Sequence, residues 1–499
     1  MVLPVRRQEL LACLFGCAST GHPIVNGIIP LMANVPAEQS IPAARRRVWP
    51  WMLRILPGAL AALVFLALAL GRGVLAGRAG PLQGALALAL LASIVAQPRV
   101  AGLVRSALAS QRLPRAVAIV AVIMLALALR TPGLAFGLPY FEHPDEWAVA
   151  EDALRMLRTG DFSPFSYTYP TLYVYMQVGV AAAHFLWGAG TGLYRAPVDV
   201  DPALFYVWAR AMTALLGTGA VGLTYVAGRM LYGHAAGLIA ATLLAVMPAA
   251  AGDAHYVTTD TPAMFFTLLA CLAIARLGAD TAEAGRRSER ETFALALLAG
   301  MGVGLATATK WNAGSLVIAL ALACFFAAHR STFNVQRATF NALCAFLGIL
   351  LGFTLGVPYW LRDLPRILAD LAGIVIHYRF EGHPGAESSQ PALFYWWALT
   401  REGALLAWAC LGGVLLAFVR RRRADLLVLA VVVPAVLQLS GVTVVFFRNA
   451  MPLLPFLCIL AAALVVLVAD RLVAIAQEWE TRSAGEGERG RGGDRGRAG

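Results

Sequence analysis

The chain has 499 residues, 59% of them hydrophobic and 14% charged, with a mean hydropathy of +0.70 and a formal net charge of +12. A composition this apolar at this length excludes a soluble globular protein and indicates a polytopic, all-α membrane protein. Of the 40 basic residues, 39 are Arg. They cluster between apolar runs, as in inward-facing membrane loops, which argues against nucleic acid as a partner.

Residues 1–48 fit no clear element. Arg6 and Arg7 precede a lipoprotein-like box, Leu10 to Cys13, but no apolar stretch separates them. A signal peptide is therefore not expected, and the segment reads as flexible or as an over-extended start. Apolar runs near 51–70 and 81–97 predict two extra transmembrane helices within 49–115. The main membrane domain is expected over 116–475, with runs near 116–136, 171–188, 204–228, 235–251, 261–277, 293–309, 312–328, 340–358, 402–419, 425–446 and 451–470. In all, about 12–13 transmembrane helices are predicted, each of roughly 17–25 residues. The Gly/Arg-rich tail, 476–499, is expected to be disordered. Seven Cys, at 13, 17, 271, 324, 344, 410 and 458, show neither a disulfide framework nor zinc-ligand spacing.

The segment FEHPDEWAVAED (141–152) crowds five acids beside His143 at the end of a long apolar run. Residues 144–158 have the spacing of a short amphipathic helix lying on the membrane surface. Asp145 reads either as its N-cap or as a general base for an attacking hydroxyl. The run 171–188 has aromatics at both ends and is read as re-entrant or surface-lying; a full span is the alternative. Asp199-Val200-Asp201 resembles the Asp-x-Asp of nucleotide-sugar enzymes but is discounted as common by chance. Asp260, before Thr261-Pro262, is again a cap or a functional acid, with His255 and Tyr256 beside it. Gly300-Met301-Gly302-Val303-Gly304 reads as helix-packing glycine. Lys310, the only Lys, either snorkels to the interface or holds a phosphate. The stretch 376–385 carries His377, Tyr378, Arg379, Glu381 and His383. Arg448 begins a helix opposite the trend of the other Arg, which suggests an anionic partner.

Placing the Arg clusters at 45–47, 99–115, 229, 276–290, 330–337 and 420–423 in the cytoplasm puts five segments on the outer face: 137–203, 252–260, 310–311, 359–401 and 447–450. Nearly all the unusual polar residues fall there. A transporter or lipid flippase would instead show mid-membrane charges and paired repeats, and no repeat is visible.

The order HPDE (143–146), YPTL (169–172), WARAMTALLG (208–217), HYVTTDTPAMFF (255–266), GLATATKWNAG (304–314) and FFRNAMPLLPFLCILAA (446–462) resembles the integral-membrane GT-C glycosyltransferases. Within them it is similar to the family 39-like group of protein O-mannosyltransferases and the aminoarabinose transferase of lipid A. The resemblance covers residues 116–470. It implies a multi-pass protein of the cell (inner) membrane with its active site facing the periplasm or exterior. A polyprenyl-phosphate sugar would be the donor and an envelope glycan, glycolipid or protein the acceptor. Carried over by position, Asp145 would be the base with Glu146 the second choice. Asp260, with His255 and His143, would lie on the acceptor or metal side. Lys310, Arg379 and Arg448 would bind the donor phosphate. Some members of this group use a divalent metal and others do not, so the cofactor stays open.

Overall fold

The computed structural model describes residues 113–140, 143–278, 287–329 and 334–493. The two helices expected within 49–115, and residues 1–48, lie outside them. The described chain is helical: α1 Leu113–Arg130, α2 Pro144–Thr159, α3 Leu172–Gly190, α4 Pro202–Tyr232, α5 His234–Val246, α6 Pro248–Asp253, α7 Asp260–Gly278, α8 Glu289–Thr307, α9 Val317–Ala328, α10 Val335–Gly356, α11 Leu364–Ile376, α12 Pro391–Glu402, α13 Ala404–Arg420, α14 Arg423–Ser440 and α15 Leu454–Gly493. Short 3₁₀ turns cover Trp311–Leu316 and Phe447–Leu453, and a π turn covers His377–Glu381. An isolated antiparallel bridge pairs Glu387 with Val444. Six helices among them are long and apolar enough to cross a membrane by length and composition.

The bundle has a polar end and an Arg-rich end. At the Arg-rich end, Asp425 at the start of α14 takes Arg420 Nε at 2.8 Å and Tyr232 Oη at 2.9 Å, while Arg337 pairs with Glu289 at 2.8 Å. These contacts tie together the ends of α4, α8, α10, α13 and α14. The opposite ends carry Asp145, Asp260, Lys310 and Arg448, so the alternation expected from Arg placement holds through the helices.

Close packing is set by glycine. On α8 and α10, a Cβ added to Gly300 would strike Ala345 O, one on Gly304 would strike Ile349 O, and one on Gly348 would strike Leu297 O. The glycine run thus lets two backbones touch along a seam, as its spacing predicts. Arg130, fully buried at the end of α1, finds no carboxylate among the described residues. Its guanidinium donates to Ala245 O at 2.9 Å and Leu244 O at 3.2 Å. These are last-turn carbonyls of α5, the negative end of a helix dipole.

Helix α3 settles beside α4. Leu172 N–H donates to Ala308 O at 3.0 Å, and Gln177 Nε2 donates to Ala209 O at 3.1 Å. With 31 residues, α4 is about 46 Å long, more than a bilayer core of roughly 30 Å. Helix α3 runs antiparallel along the first half of α4, Gln177 reaching Ala209 and His184 packing on Trp208.

At the other terminus, α15 runs on to Gly493, where composition predicts no fixed structure. Extending an established helix adds a hydrogen bond per residue without a new nucleus, so it continues beyond its last apolar turn.

Candidate active site

Helix α2 begins with Pro144 at its first position, where a missing N–H is harmless. His143 is extended (φ −112°, ψ 116°) and is the N-cap: its Nδ1 accepts the Asp145 N–H at 3.2 Å. The helix ends at Gly160 in the left-handed region, φ 71°. Val149, Ala150, Ala153, Leu154 and Met156 face inward and pack with Tyr173, Val174 and Val178 of α3. Asp145 therefore does not cap the helix, contrary to the simplest sequence reading. Its carboxylate is left for Arg448, whose NH2 lies 2.8 Å from Oδ2.

Asp260 follows the same pattern. The backbone carbonyl of Thr259 accepts the Ala263 N–H at 2.9 Å, and the Asp260 side chain turns to Lys310 Nζ. Asp260 is 2% exposed. Lys310 Nζ also donates to Asn449 Oδ1 at 3.0 Å. Arg448 and Asn449 are consecutive on one 3₁₀ turn, so that turn joins the two carboxylate–cation pairs. Tyr256 completes the link by packing on the His143 ring, centroids 4.9 Å apart.

Glu146, the second choice as base, takes a different part. It is fully buried, and Arg210 grips both its oxygens at 2.8 Å. Oε1 also accepts the Val257 N–H at 2.9 Å. Arg210 NH1 donates further to Leu134 O at 2.9 Å and Phe136 O at 2.8 Å. With three of its roughly four acceptor sites taken, Glu146 is a strut that fixes Asp145 one residue away. His255 is not brought to the cluster either: its two nitrogens lie against Ala251 O at 2.9 Å and Pro132 O at 3.1 Å. Arg379 is exposed on the π turn, beside Gly441. It makes no hydrogen bond or ion pair among the described residues. The Asp-x-Asp segment is structural, as expected: Asp199 accepts the Arg195 and Ala196 N–H groups, and Asp201 caps α4.

Two residues at the site escaped the sequence reading. Tyr169 lies among Asp145, Asp260, Tyr378 and Arg448, and burial with the two carboxylates raises its phenol well above the usual range. The loop that carries it is pinned: Asp370 accepts the Tyr167 N–H at 2.6 Å, Asp363 the Tyr167 hydroxyl at 2.7 Å, and Trp311 Nε1 donates to Tyr167 O at 3.0 Å. Asp253 is the other. It accepts the Thr261 hydroxyl at 2.7 Å, and burial followed by the Asp260 charge pushes its carboxyl up to about 7. A raised carboxyl favours the fold while protonated, and that advantage is lost as pH climbs from the unfolded value near 3.9 through 7. Asp253→Asn should accordingly melt higher than wild type above pH 7, with the gap closing towards pH 4. Thermal melts across that range check it.

His143 is lowered, first by burial and then by Arg448, against the opposing pull of Asp145. A neutral ring accepts at one nitrogen only. Nδ1 accepts the Asp145 N–H, and Nε2 lies 3.3 Å from Arg448 NH1. Behind Asn449, a small cavity of about 30 Å³ is lined by Thr267, Asn312, Ser315, Gln438 and apolar residues. For a metal, no group of three His, Cys, Asp or Glu is suitably placed among the described residues, so no chemistry is assigned to one.

Residues 172–368 match the family model described as dolichyl-phosphate-mannose-protein mannosyltransferase. The fold is similar to that of the Archaeoglobus fulgidus oligosaccharyltransferase in the apo form, at TM-score 0.51 and 14% identity over 74% of this chain and 52% of that one. It is also similar to apo ArnT from Cupriavidus metallidurans, at TM-score 0.50 and 18% identity over 70% of this chain and 59% of that one. A third similar structure is AglB from A. fulgidus in complex with an inhibitory peptide and a dolichol-phosphate, at TM-score 0.50 and 13% identity, again over 74% and 52% of the two chains. The chain thus spans about half the length of the oligosaccharyltransferase. No curated protein matches its sequence. Over residues 172–368 the chain is thus similar to the dolichyl-phosphate-mannose-protein mannosyltransferase family, and its fold is that of integral-membrane glycosyltransferases of the oligosaccharyltransferase and ArnT kind.

Proposed function

We propose that the protein transfers a sugar from a polyprenyl-phosphate donor to a hydroxyl of an envelope glycan, glycolipid or protein. The observation that carries this reading is the meeting of Asp145, Asp260, Lys310 and Arg448 at one end of the bundle. The matched family's description, which names a dolichyl-phosphate sugar, supports the donor class. The site faces the exterior or periplasm of the cell (inner) membrane, as Arg placement favours. Nucleotide sugars are not available on that side, so the donor must cross the bilayer on a lipid.

Asp145 accepts the proton of the acceptor hydroxyl as its oxygen attacks the anomeric carbon. The bond from that carbon to the phosphate oxygen breaks, and polyprenyl phosphate leaves with the bonding pair. One displacement inverts the anomeric centre. The leaving group is already stable as a phosphate, so it needs positive charge more than a proton. Lys310 and Arg448 supply that charge, and Arg379 on its exposed turn meets the phosphate as it arrives. Asp260 and Asn449 hold Lys310 in place, while Glu146 holds the start of α2. Surface helices α2 and α11 exclude water that would compete as acceptor.

The test is transfer by the purified protein in proteoliposomes, supplied with labelled polyprenyl-phosphate sugars and scored by mass spectrometry of the products. Absence of transfer from every lipid-linked sugar, with intact protein, would overturn the reading. Sidedness is checked separately, with an impermeant thiol reagent on a Cys placed at Ser389. Labelling only from the cytoplasmic side would invert the orientation.

A further inference from the structure

The two cations of the site are held very differently. Lys310 is fixed between two buried partners, Asp260 and Asn449, and keeps a third N–H free for a ligand. Among the described residues Arg448 has one ion-pair partner, Asp145, and the side chains of both are about a quarter exposed, at 26% and 22%. Its guanidinium otherwise lies 3.3 Å from His143 Nε2 and stacks on the Phe446 ring, 4.3 Å from the centroid. Arg448 therefore neutralises the oxygen that the reaction needs as a base, by a contact weak enough to exchange. A donor phosphodiester brought to Lys310 offers Arg448 a second anion, singly charged like the carboxylate and with two free oxygens for bidentate pairing, beside a fixed cation that shares it.

We propose that Arg448 is an exchange switch: donor phosphate draws it off Asp145, and the base is released only when the donor is seated. This rests on the donor class proposed above and adds an order of events to it. Asp145 and the phosphate compete for one guanidinium before chemistry, and the acceptor's proton is taken after the exchange. An enzyme built this way does not expose a free base to water while no lipid phosphate is present.

The competition has a signature that is independent of turnover. Removing the Asp145 charge should tighten phosphate binding, because Arg448 no longer has a carboxylate to leave. An exposed or half-exposed ion pair is worth up to about 1 kcal/mol, which is about fivefold in affinity. The probe is farnesyl methyl phosphate, a phosphodiester with the single charge of the donor, titrated calorimetrically into the purified full-length protein. Asp145→Asn should bind it about fivefold more tightly than wild type, and Arg448→Gln more weakly. In the Asp145→Asn/Arg448→Gln double variant the gain should vanish. Asp145→Ser serves as a second charge removal should the Asn variant fold poorly. Equal or weaker binding by both Asp145 variants, with wild type binding normally, overturns the switch and leaves the donor class standing. No binding by wild type overturns both.

Discussion

Asp145→Asn is expected to reduce sugar transfer by about 10²–10⁴-fold, the usual contribution of a positioned general base, while the protein folds normally. The expectation separates two roles that coincide in the sequence. Were Asp145 the cap of α2, Asn would replace it with little loss in any function. His143 is the cap, however, and Asp145 sits one turn-position inside the helix with its carboxylate turned to Arg448. The structural loss on substitution is thus one solvent-accessible ion pair, about 1 kcal/mol. The chemical loss is the proton acceptor. Initial rates in proteoliposomes, taken beside thermal midpoints in the same detergent, make the comparison. If the variant keeps full activity, the base is elsewhere. Glu146, buried and spent on Arg210 and Val257, is then a poor substitute, and Asp260 would have to shed Lys310 to act.

Much of this arrangement could be read from the chain, because two strong signals run along it. Hydropathy of spanning length marks the helices, and Arg between them marks one end, so the remaining polar residues fall together at the other. The structure brings Asp145, Asp260, Lys310 and Arg448 into one cluster from segments up to about 300 positions apart. Other features depended on partners that no local pattern names. Asp145 looked like a cap because Asp before an apolar run usually is one; only the extended backbone at His143 reveals which residue performs that task. Glu146 looked like a spare base because its partner, Arg210, lies 64 positions away inside an apolar helix. A lone Arg in such a run, absent from any loop, was the clue that a buried acid must await it. Asp253 closes an apolar stretch without any motif of its own, and its character comes from the nearby Asp260 charge. Tyr169 sat in a quoted motif, yet its role follows from a loop pinned by Asp363, Asp370 and Trp311, none adjacent to it in sequence.

Arg210→Met is expected to destabilise the protein by about 3–5 kcal/mol, the toll of leaving a buried charge without its partner. Arg210 donates four hydrogen bonds, to both oxygens of Glu146 and to the carbonyls of Leu134 and Phe136. It also stacks over the Phe136 ring, 4.2 Å from the centroid. Glu146 in turn anchors Val257, two residues past His255 and three before Asp260. One ion pair thus sets the spacing between the loop after α1, the start of α2, the first turns of α4 and the approach to α7. Buried pairs are often replaceable by apolar residues of similar volume with little net loss. The double variant Glu146→Leu/Arg210→Met should therefore recover a large part of the thermal midpoint that Arg210→Met loses. Activity should not recover with it. Leu cannot hold the Val257 N–H, nor Met the two carbonyls, so Asp145 and Asp260 would keep packing but lose their register. A displacement of about 1 Å at the reacting groups can reduce turnover about a hundredfold. If the double variant regains both midpoint and turnover, the pair only fills space, and the positioning of Asp145 must come from the packing of α2 on α3 instead.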